Sequence, residues 1–290
     1  MQPKPIIVTG ISGQLGQELR DVFTDSFLGY PVIYVGREQL DLSNPHSIAP
    51  FFQKHQPAYC IHAAAYTAVD RAEQEKELAL TVNATSAGEI ARCCKLLGCR
   101  LVSISTDYVF NGQGSLPYTT DENCEPVNYY GYTKWKGEQL ILDALPSATI
   151  IRTSWVFSAY GNNFVKTMLR LMKEREVIRV VNDQRGCPTY AADLANAIAI
   201  MVQEWEKGNT HSGIYHFSNA GDITWYDFAL AIRDMAGLTC QVEPIPSADF
   251  PTPARRPGYS VMDTSTLTKD FGVRLRDWQI ALQDCLQKLL

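Results

Sequence analysis

Two residues of this sequence are spaced for proton transfer, because Tyr130 and Lys134 lie four positions apart. On a helix, residues at this spacing share one face, one turn from each other. A free phenol has a pKa of about 10 and stays protonated at neutral pH, whereas a nearby ammonium group favours the phenolate. Lowering that pKa by about 3 units requires roughly 4 kcal/mol, of which one lysine supplies only part. Such pairs also occur by chance on amphipathic helices, so the rest of the chain must supply a cofactor and a substrate.

The segment around this pair predicts a helix. Asn128 is suited to cap its first turn, and helix-forming residues continue through Glu138 and Leu142. Tyr132 lies two positions after Tyr130, about 200° around the helix axis, and is not expected to share the lysine.

The composition is that of a soluble globular protein. With 290 residues, of which 46% are apolar and 20% charged, the chain forms one large domain or two modest ones. A net charge of -5 argues against wholesale binding of nucleic acid. No signal-peptide pattern and no apolar run of ~20 residues is present, so a cytoplasmic protein without a membrane contact is predicted. The eight cysteines form no C-x-x-C pair or Cys/His cluster, which predicts reduced, mostly buried thiols.

The N-terminus has the pattern of a dinucleotide-binding unit. A short apolar run at residues 5–9 predicts a buried strand, and a helical pattern follows a turn that contains Gly10, Gly13 and Gly16. The first glycine permits a tight turn, the second lets backbone N–H groups approach a pyrophosphate, and the third lets the helix pack on the strand. The spacing is G-x-x-G-x-x-G, and the helix N-terminus adds a favourable dipole for phosphates.

A second strand, at residues 32–35, ends close to Arg37. An arginine here accommodates the 2′-phosphate of NADP, whereas an acidic residue would hold the ribose hydroxyls of NAD. Arg37 precedes Glu38, so the pattern is mixed; we favour NADPH because the cation follows Gly36 directly. The alternative is that Arg37 is a solvated loop charge.

Two further strands are predicted to end near the same turn. Tyr59–His62 runs into three alanines that leave room for a flat ligand, and His62 itself is interpreted as a core residue. Residues 100–105 form the next strand and lead into Thr106. Ligands bind at the carboxyl ends of strands in open α/β sheets, so Thr106 is expected to bond to a carbonyl group that Tyr130 also contacts.

The remaining segments predict the surroundings of this site. Residues 68–92 are interpreted mainly as helix, with a solvated acidic face that contains Asp70, Glu73 and Glu75, and residues 180–189 as a loop. Trp155 follows a strand at 148–153 and offers a face to a sugar or base, with an ordinary core tryptophan as the alternative. Arg255 and Arg256 suit a diphosphate, and a solvated loop competes with that interpretation. Further helices are predicted at 191–205, 225–235 and 278–290, and a strand at 214–217.

Seven motifs spread over nearly the whole chain carry a family resemblance. They are GQLG at 13–16, AAAYTAVD at 63–70, STDYVF at 105–110, YGYTK at 130–134, RTSWV at 152–156, NDQRGCPT at 182–189 and PARRP at 253–257. With these motifs in this order, the chain resembles the extended short-chain dehydrogenases/reductases, and within them the dTDP-4-dehydrorhamnose reductases.

The resemblance implies an α/β fold with a Rossmann-type doubly wound parallel sheet and a smaller, interleaved C-terminal α/β substrate domain. Residues 1–150 would form the NADP(H)-binding domain, with some later segments returning to it, and residues 151–290 mainly the substrate domain. The implied reaction reduces the C4 ketone of dTDP-4-dehydro-L-rhamnose by hydride transfer from NADPH, with NADH as the alternative cofactor. Tyr130 would donate the proton, Lys134 would tune it and hold the nicotinamide ribose, and Thr106 would assist at the carbonyl.

Further roles follow from the same resemblance. Substrate contacts are implied for Val69, Asp107 and Trp155, and are predicted for Thr106 and Arg256. The predicted cofactor positions are Gly10, Gly13, Gln14, Leu15, Gly16, Arg37, Asp41, Leu42, Ala63, Ala64, Ala65, Tyr66, Thr67, Tyr130 and Lys134. Some members bind magnesium between glutamates at a dimer contact; those glutamates cannot be placed here, so no metal is predicted and a homodimer is left open.

Two rival functions fit the same motifs. One is a nucleotide-sugar epimerase or dehydratase of the same fold, which keeps NAD bound and regenerates it. Dehydratases usually carry a carboxylate pair after the threonine, whereas here Asp107 is followed by Tyr108. The other is a non-catalytic NADP-binding subunit that regulates a partner enzyme, against which the intact Thr106, Tyr130 and Lys134 argue.

Overall fold

The computed structural model describes residues 3–290 and is built around one large, mainly parallel sheet. The strands are β1 (Ile6–Thr9), β2 (Ser26–Phe27), β3 (Tyr30–Val35), β4 (Tyr59–His62), β5 (Arg100–Thr106), β6 (Thr149–Thr153), β7 (Val156–Phe157), β8 (Val177–Val181), β9 (Arg185–Gly186), β10 (Thr189–Tyr190), β11 (Gly213–Phe217), β12 (Ile223–Thr224) and β13 (Gln241–Ile245). The helices are α1 (Gln14–Phe23), α2 (Ile48–His55), α3 (Val69–Ala72), α4 (Lys76–Leu80), α5 (Ser86–Leu97), α6 (Tyr129–Ala144), α7 (Phe164–Glu174), α8 (Ala191–Glu206), α9 (Trp225–Met235), α10 (Ser265–Phe271) and α11 (Trp278–Leu289).

The strand order of the main sheet places a ligand-binding crevice beside β1. The order is β11-β6-β5-β4-β1-β3-β2, and every neighbouring pair is parallel except β2 with β3. The chain passes from β1 to β3 on one side and then returns to β4 on the other, so the order reverses between β1 and β4. Ligands of open α/β sheets bind at the carboxyl ends of the strands at this reversal.

Helices cover both faces of the sheet, which explains why its central strands are apolar on both sides. One buried cluster joins the sheet to α1, α8 and α10, and a second joins it to α2, α5 and α6. The sheet and its two helical layers confirm the predicted doubly wound fold. Because β11 and α8 belong to this assembly, the chain returns to the sheet after residue 150.

A third buried cluster lies outside the main sheet. It is formed by α7, α9 and α11 together with the parallel pair β8 and β13. Apolar residues at helical spacing supply it, and a capping box between Thr224 and Asp227 fixes the start of α9. The predicted strand at 214–217 and the helices at 191–205, 225–235 and 278–290 are all found, with bounds shifted by at most one residue.

One prediction about local structure was wrong. Residues 180–189 contain β9 and β10, which pair with β12 and β7 far along the chain, so no local pattern reports them. The prediction that residues 68–92 are mainly helical is confirmed, although the helix is interrupted: α3 and α4 are separate, and a π-helical turn at Thr81–Thr85 precedes α5. No helix within residues 3–290 combines the length and the apolar character required to cross a membrane.

Candidate active site

The three residues predicted for catalysis line one cavity at the carboxyl edge of the main sheet. Thr106 ends β5, while Tyr130 and Lys134 lie one turn apart on α6, and all three border a space of about 460 Å³. We call it the tyrosine cavity. The sequence prediction that the phenol and the lysine share a helix face is therefore confirmed.

The start of α6 is fixed by its cap and by a close backbone contact. The Asn128 side chain accepts a hydrogen bond from the Gly131 N–H at 2.8 Å, as the sequence predicted. A Cβ atom at Gly131 would lie 2.1 Å from the Tyr108 carbonyl oxygen, so only glycine lets the helix approach the end of β5 this closely. Tyr132 points away and is 38% exposed. The Tyr-Gly-Tyr order thus aims one phenol into the cavity and the other outward.

The sequence predicted that Lys134 lowers the pKa of the Tyr130 phenol, but in the structure this pKa is raised. Lys134 is buried, and its Nζ donates a hydrogen bond to the Ile104 carbonyl oxygen at 2.8 Å. Burial lowers the pKa of Lys134 to about 8, with Glu138 opposing. Burial also raises the pKa of the Tyr130 phenol, against the lowering effect of its hydrogen bond with Thr106. In the protein alone, desolvation of the phenolate is the dominant effect, and the protonated phenol is the form that a proton donor needs.

Asp107 places a second acidic group beside this phenol. Its Oδ1 accepts a hydrogen bond from the Thr106 hydroxyl at 3.0 Å, while its Oδ2 is buried without a partner among residues 3–290. Burial raises the pKa of Asp107 to about 7, and the hydrogen bond from Thr106 acts in the opposite direction. A carboxyl group with one unsatisfied oxygen in a cavity is suited to bond a polar group of a ligand.

Asp107→Asn is expected to remove part of the pH dependence of stability. The carboxyl pKa is 3.8 in the unfolded chain and about 7 in the folded protein, so between these values the folded protein holds a proton that the unfolded chain has released. The free energy of unfolding therefore falls as pH rises from about 4 to about 7. The asparagine variant lacks this contribution, so its stability relative to wild type should rise over that interval. Urea unfolding near pH 4 and near pH 7 measures the difference, and parallel pH profiles would contradict the assignment.

A second cavity, of about 470 Å³, lies over the glycine turn and meets the tyrosine cavity. We call it the glycine cavity. Gly10 has a positive φ of 79°, and a Cβ atom there would lie 2.7 Å from the Ala64 backbone nitrogen. A Cβ at Gly16 would lie 2.2 Å from the Gly10 carbonyl oxygen, which confirms close packing of α1 on the turn. The walls shared by both cavities are Ser12, Gly13, Ala63, Ala65 and Thr67.

The N-terminus of α1 fits the phosphates of a dinucleotide. Gly13 occupies the N-cap position, no side chain caps the helix, and no acidic residue lies in the first turn. The first backbone N–H groups of α1 and the positive end of its helix dipole thus face the two cavities. An extended ligand can pass from one cavity to the other across this turn. These backbone N–H donors and the two adjoining cavities therefore fit a nicotinamide dinucleotide.

The remaining predicted cofactor residues lie along the same two cavities. Those of the glycine cavity are Gly10, Arg37, Asp41, Leu42, Ala64 and Tyr66, and those of the tyrosine cavity are Gln14, Leu15 and Gly16. Arg37 has a 77% exposed side chain whose Nε lies 3.5 Å from an Asp41 carboxylate oxygen. His62 is a buried strand-end residue bonded to Thr9 at 2.9 Å, as interpreted from the sequence.

The acidic residues after β4 do not form the solvated face that the sequence predicted. Asp70 pairs with Arg256, Glu73 accepts a hydrogen bond from the Tyr129 N–H at 2.8 Å, and Glu75 accepts one from the Tyr66 hydroxyl at 2.8 Å. Two distant segments, at Tyr129 and at Arg256, meet this stretch, and their positions are set by the tertiary fold. The helical spacing of the apolar residues indicated only that these acidic side chains lie outside the apolar face.

Trp155 borders the tyrosine cavity and is not an ordinary core tryptophan. It is only partly buried, its φ is 48°, and its indole stacks on Trp225 with ring centroids 3.6 Å apart. A Cβ atom at Gly186 would lie 2.6 Å from the indole, which explains the glycine of the GCPT motif. Trp225 lines both the tyrosine cavity and a third cavity of about 900 Å³, which we call the large cavity. One indole face is thus covered by Trp225.

The other predicted substrate residues divide between two cavities. Val69, like Thr106 and Asp107, lines the tyrosine cavity, and Arg256 lines the large cavity. The large cavity is enclosed by the loop at 247–258 and by apolar side chains of α7 and α9, including Phe164. It therefore has the size and the mixed lining expected of a site for a base and its phosphates.

Comparison with known proteins places this geometry in a family. The chain matches the family described as RmlD substrate binding domain over residues 4–290. It is 41% identical to a dTDP-4-dehydrorhamnose reductase of Burkholderia thailandensis, over 98% of this chain and 99% of that protein. The chain belongs to the dTDP-4-dehydrorhamnose reductase family.

Two solved dTDP-4-dehydrorhamnose reductases have the same fold. The crystal structure from Clostridium acetobutylicum has a TM-score of 0.93 at 35% identity, covering 98% of this chain and 99% of that one. The structure from Bacillus anthracis, in complex with NADP, has a TM-score of 0.91 at 38% identity and covers 99% of both chains. These comparisons confirm the family that the seven motifs indicated.

Ser12 and Trp225 are among the residues that line the cavities of this dTDP-4-dehydrorhamnose reductase family member but were not predicted as site residues. Ser12 lies between the first two glycines and borders both cofactor-sized cavities. Trp225 was assigned only to a helix; its position directly after a capping threonine was the signal that it begins that helix at a fixed place. Within residues 3–290, no group of three or more His, Cys, Asp or Glu side chains is arranged to hold a metal ion.

Proposed function

We propose that this chain reduces the C4 ketone of dTDP-4-dehydro-L-rhamnose to dTDP-L-rhamnose, using NADPH as hydride donor and Tyr130 as proton donor. One observation carries the proposal: Thr106, Tyr130 and Lys134 line a single cavity that continues into a dinucleotide-sized cavity over the glycine turn. Membership of the dTDP-4-dehydrorhamnose reductase family supports the choice of substrate. The NADP bound to the Bacillus anthracis relative supports the choice of cofactor.

The residues of the tyrosine cavity have complementary roles in this reaction. NADPH, when bound, supplies the hydride. Tyr130 delivers a proton to the oxygen of the ketone, and Thr106 donates a hydrogen bond to the same oxygen as negative charge develops there. Lys134 contributes a positive charge and holds the nicotinamide ribose. Because these groups are mounted on β5 and α6, they keep a fixed register, which supplies much of the rate enhancement.

The sugar nucleotide extends from the tyrosine cavity into the large cavity. Val69, Asp107 and Trp155 contact the sugar, and the large cavity receives the nucleotide. Arg255 and Arg256 line that cavity and place positive charge at its wall, where the diphosphate would lie. Most of these walls come from residues 151–290, which we assign mainly to substrate binding, while residues 1–150 mainly bind the cofactor.

Arg37→Ala is expected to weaken NADPH binding about tenfold and leave NADH binding unchanged, because only NADPH presents a 2′-phosphate to this cation. Arg37 borders the glycine cavity and has only a long contact with Asp41 to lose. Fluorescence titration with each cofactor measures both dissociation constants. Arg92→Ala, at another exposed arginine, is the matched control. Equal weakening of NADH and NADPH would contradict a role in recognising the 2′-phosphate.

The reaction is tested by adding dTDP-4-dehydro-L-rhamnose to the purified chain with NADPH or NADH. Stoichiometric loss of reduced-nicotinamide absorbance together with formation of dTDP-L-rhamnose supports the proposal. An epimerase or dehydratase would convert the sugar without net loss of NADPH, and a regulatory subunit would bind NADPH without turnover. The same keto-sugar linked to UDP measures the selectivity for the base.

A further inference from the structure

We propose that Asp70 is a positioning residue for the sugar nucleotide, which it serves by holding Arg256, and that Arg255 provides the guanidinium that contacts the diphosphate. The inference rests on the proposed function and refines it. Asp70 was predicted to lie on a solvated face, and no role in substrate binding follows from its motif alone.

Asp70 and Arg256 form a two-pronged ion pair. Arg256 Nη1 donates to Asp70 Oδ1 at 3.1 Å, and Nη2 donates to Oδ2 at 2.9 Å. The two side chains are 39% and 26% exposed, respectively, so water screens the pair only in part. Such fork-shaped pairs fix geometry as well as charge, because both terminal nitrogens of the planar guanidinium donate to the carboxylate.

The same two side chains also fix the loop that carries Arg256. Arg256 Nη1 donates to the Thr252 hydroxyl at 2.6 Å and to the Ala254 carbonyl oxygen at 3.0 Å. The Ala254 N–H donates to Asp70 Oδ1 at 3.1 Å. The hydrogen bond from the Arg256 guanidinium holds the pKa of Asp70 below its usual range, so the carboxylate stays charged at neutral pH. Asp70 therefore organises the loop through side chain and backbone together.

This loop is also tied to the catalytic helix. Asn128, which caps α6, donates from Nδ2 to the Arg255 carbonyl oxygen at 2.7 Å. The ion pair and the cap thus fix the loop on both sides of Arg255, between the segment that follows β4 and the start of α6. A change at Asp70 would alter the position of the loop relative to the tyrosine that donates the proton.

Arg255 and Arg256 differ in whether their guanidinium groups already have an acidic partner. Arg256 already faces a carboxylate, and a diphosphate that contacted it would have to displace or approach that negative charge. Arg255 is exposed and lines the large cavity. Three arginines line this cavity, and two of them have acidic partners, Arg179 with Glu243 and Arg256 with Asp70. Within residues 3–290, Arg255 is the arginine of the three without one.

Asp70→Asn separates this proposal from direct contact by Arg256, because the two predict opposite changes. If Asp70 positions the loop, the variant binds dTDP about tenfold more weakly, and the KM for the keto-sugar rises by a similar factor. If Arg256 contacts the diphosphate directly, removing the carboxylate frees the guanidinium and dTDP binds more tightly. Calorimetric titration of the NADPH-loaded protein with dTDP gives the sign, and unchanged or tighter binding overturns the proposal.

Four companion variants complete the experiment. Arg255→Ala is expected to weaken dTDP binding at least about tenfold, whereas an unchanged Kd would overturn the assignment of Arg255. Arg256→Lys, which cannot form the fork, is expected to weaken dTDP binding like Asp70→Asn and serves as the second test if that variant folds poorly. The double variant Asp70→Asn/Arg256→Lys should bind dTDP no more weakly than either single variant, because the two side chains act as a unit. Glu174→Gln, in an exposed pair with Arg170, is the control.

Two readouts separate positioning from general damage to the fold and from failure of the proposed function. The Kd for NADPH should change less than about twofold in Asp70→Asn, because the glycine cavity does not include the ion pair. Parallel weakening of NADPH and dTDP would indicate a structural role only and would overturn the proposal. A wild-type chain that binds dTDP without reducing the keto-sugar refutes the proposed reaction and leaves this test intact, whereas a wild-type chain that binds no dTDP overturns both.

Discussion

Tyr130→Phe is expected to lower turnover of dTDP-4-dehydro-L-rhamnose at least ~100-fold, the lower end of general-acid contributions, while NADPH affinity stays near that of wild type. The phenyl ring keeps the edge contact with Tyr108, whose ring centroid lies 5.8 Å away, and it keeps the glycine cavity unchanged. Only the hydroxyl that would protonate the ketone is lost. Steady-state kinetics and a fluorescence titration with NADPH measure the two quantities separately.

Tyr132→Phe is the matched control for this prediction, because Tyr132 lies on the same helix and points to solvent. It should retain wild-type turnover. The raised pKa of Tyr130 implies that the donor stays protonated throughout the neutral range, so ionisation of this phenol should not limit activity there. Wild-type turnover in Tyr130→Phe would remove Tyr130 from the mechanism.

Glu138→Leu is expected to destabilise the protein by about 3–5 kcal/mol, because it leaves the guanidinium of Arg152 buried without its counter-ion. Arg152 and Glu138 are only 3% and 4% exposed, and their closest atoms, Nη2 and Oε2, are 2.7 Å apart. Ser105 donates a hydrogen bond to the same carboxylate. Glu138 lies one turn beyond Lys134 on α6, so this pair also supports the helix that carries the catalytic groups.

Urea unfolding tests the stability prediction with two comparisons. Glu174→Leu breaks an exposed pair with Arg170 and should cost less than about 1 kcal/mol. Glu138→Leu/Arg152→Met removes both buried charges and should recover much of the stability lost in the single variant. If Glu138→Leu costs no more than Glu174→Leu, then the buried ion pair does not anchor α6.

Much of the site could be predicted from sequence because its signals are local. The glycine turn, the Asn128 cap and the spacing of Tyr130 and Lys134 each depend on a few neighbouring residues, and the structure confirms all three. The sequence also correctly placed the glycine turn and Thr106 at the carboxyl ends of parallel strands, since the apolar runs report the strands and chain order limits the topology. Whether each predicted residue contacts cofactor or substrate stays a prediction.

The features that the sequence did not predict correctly depend on contacts between distant segments and not on local signals. Sequence suggested that Lys134 would lower the phenol pKa, but the burial that raises it depends on every element around the cavity. The pairing of Trp155 with Trp225, and of β9 and β10 with their partners, joins segments far apart in the chain. No local period reports such contacts.

What the sequence determined by itself is the set of reactive groups and the local conformations that aim them: a capped helix, a glycine turn and strand ends with small or hydroxyl side chains. What only the tertiary structure decided is the environment of each charge. Asp70 meets Arg256 and Glu138 meets Arg152 across separate segments. The reason is that helix and strand propensities act between near neighbours, whereas desolvation and ion pairing depend on which distant segments are packed together.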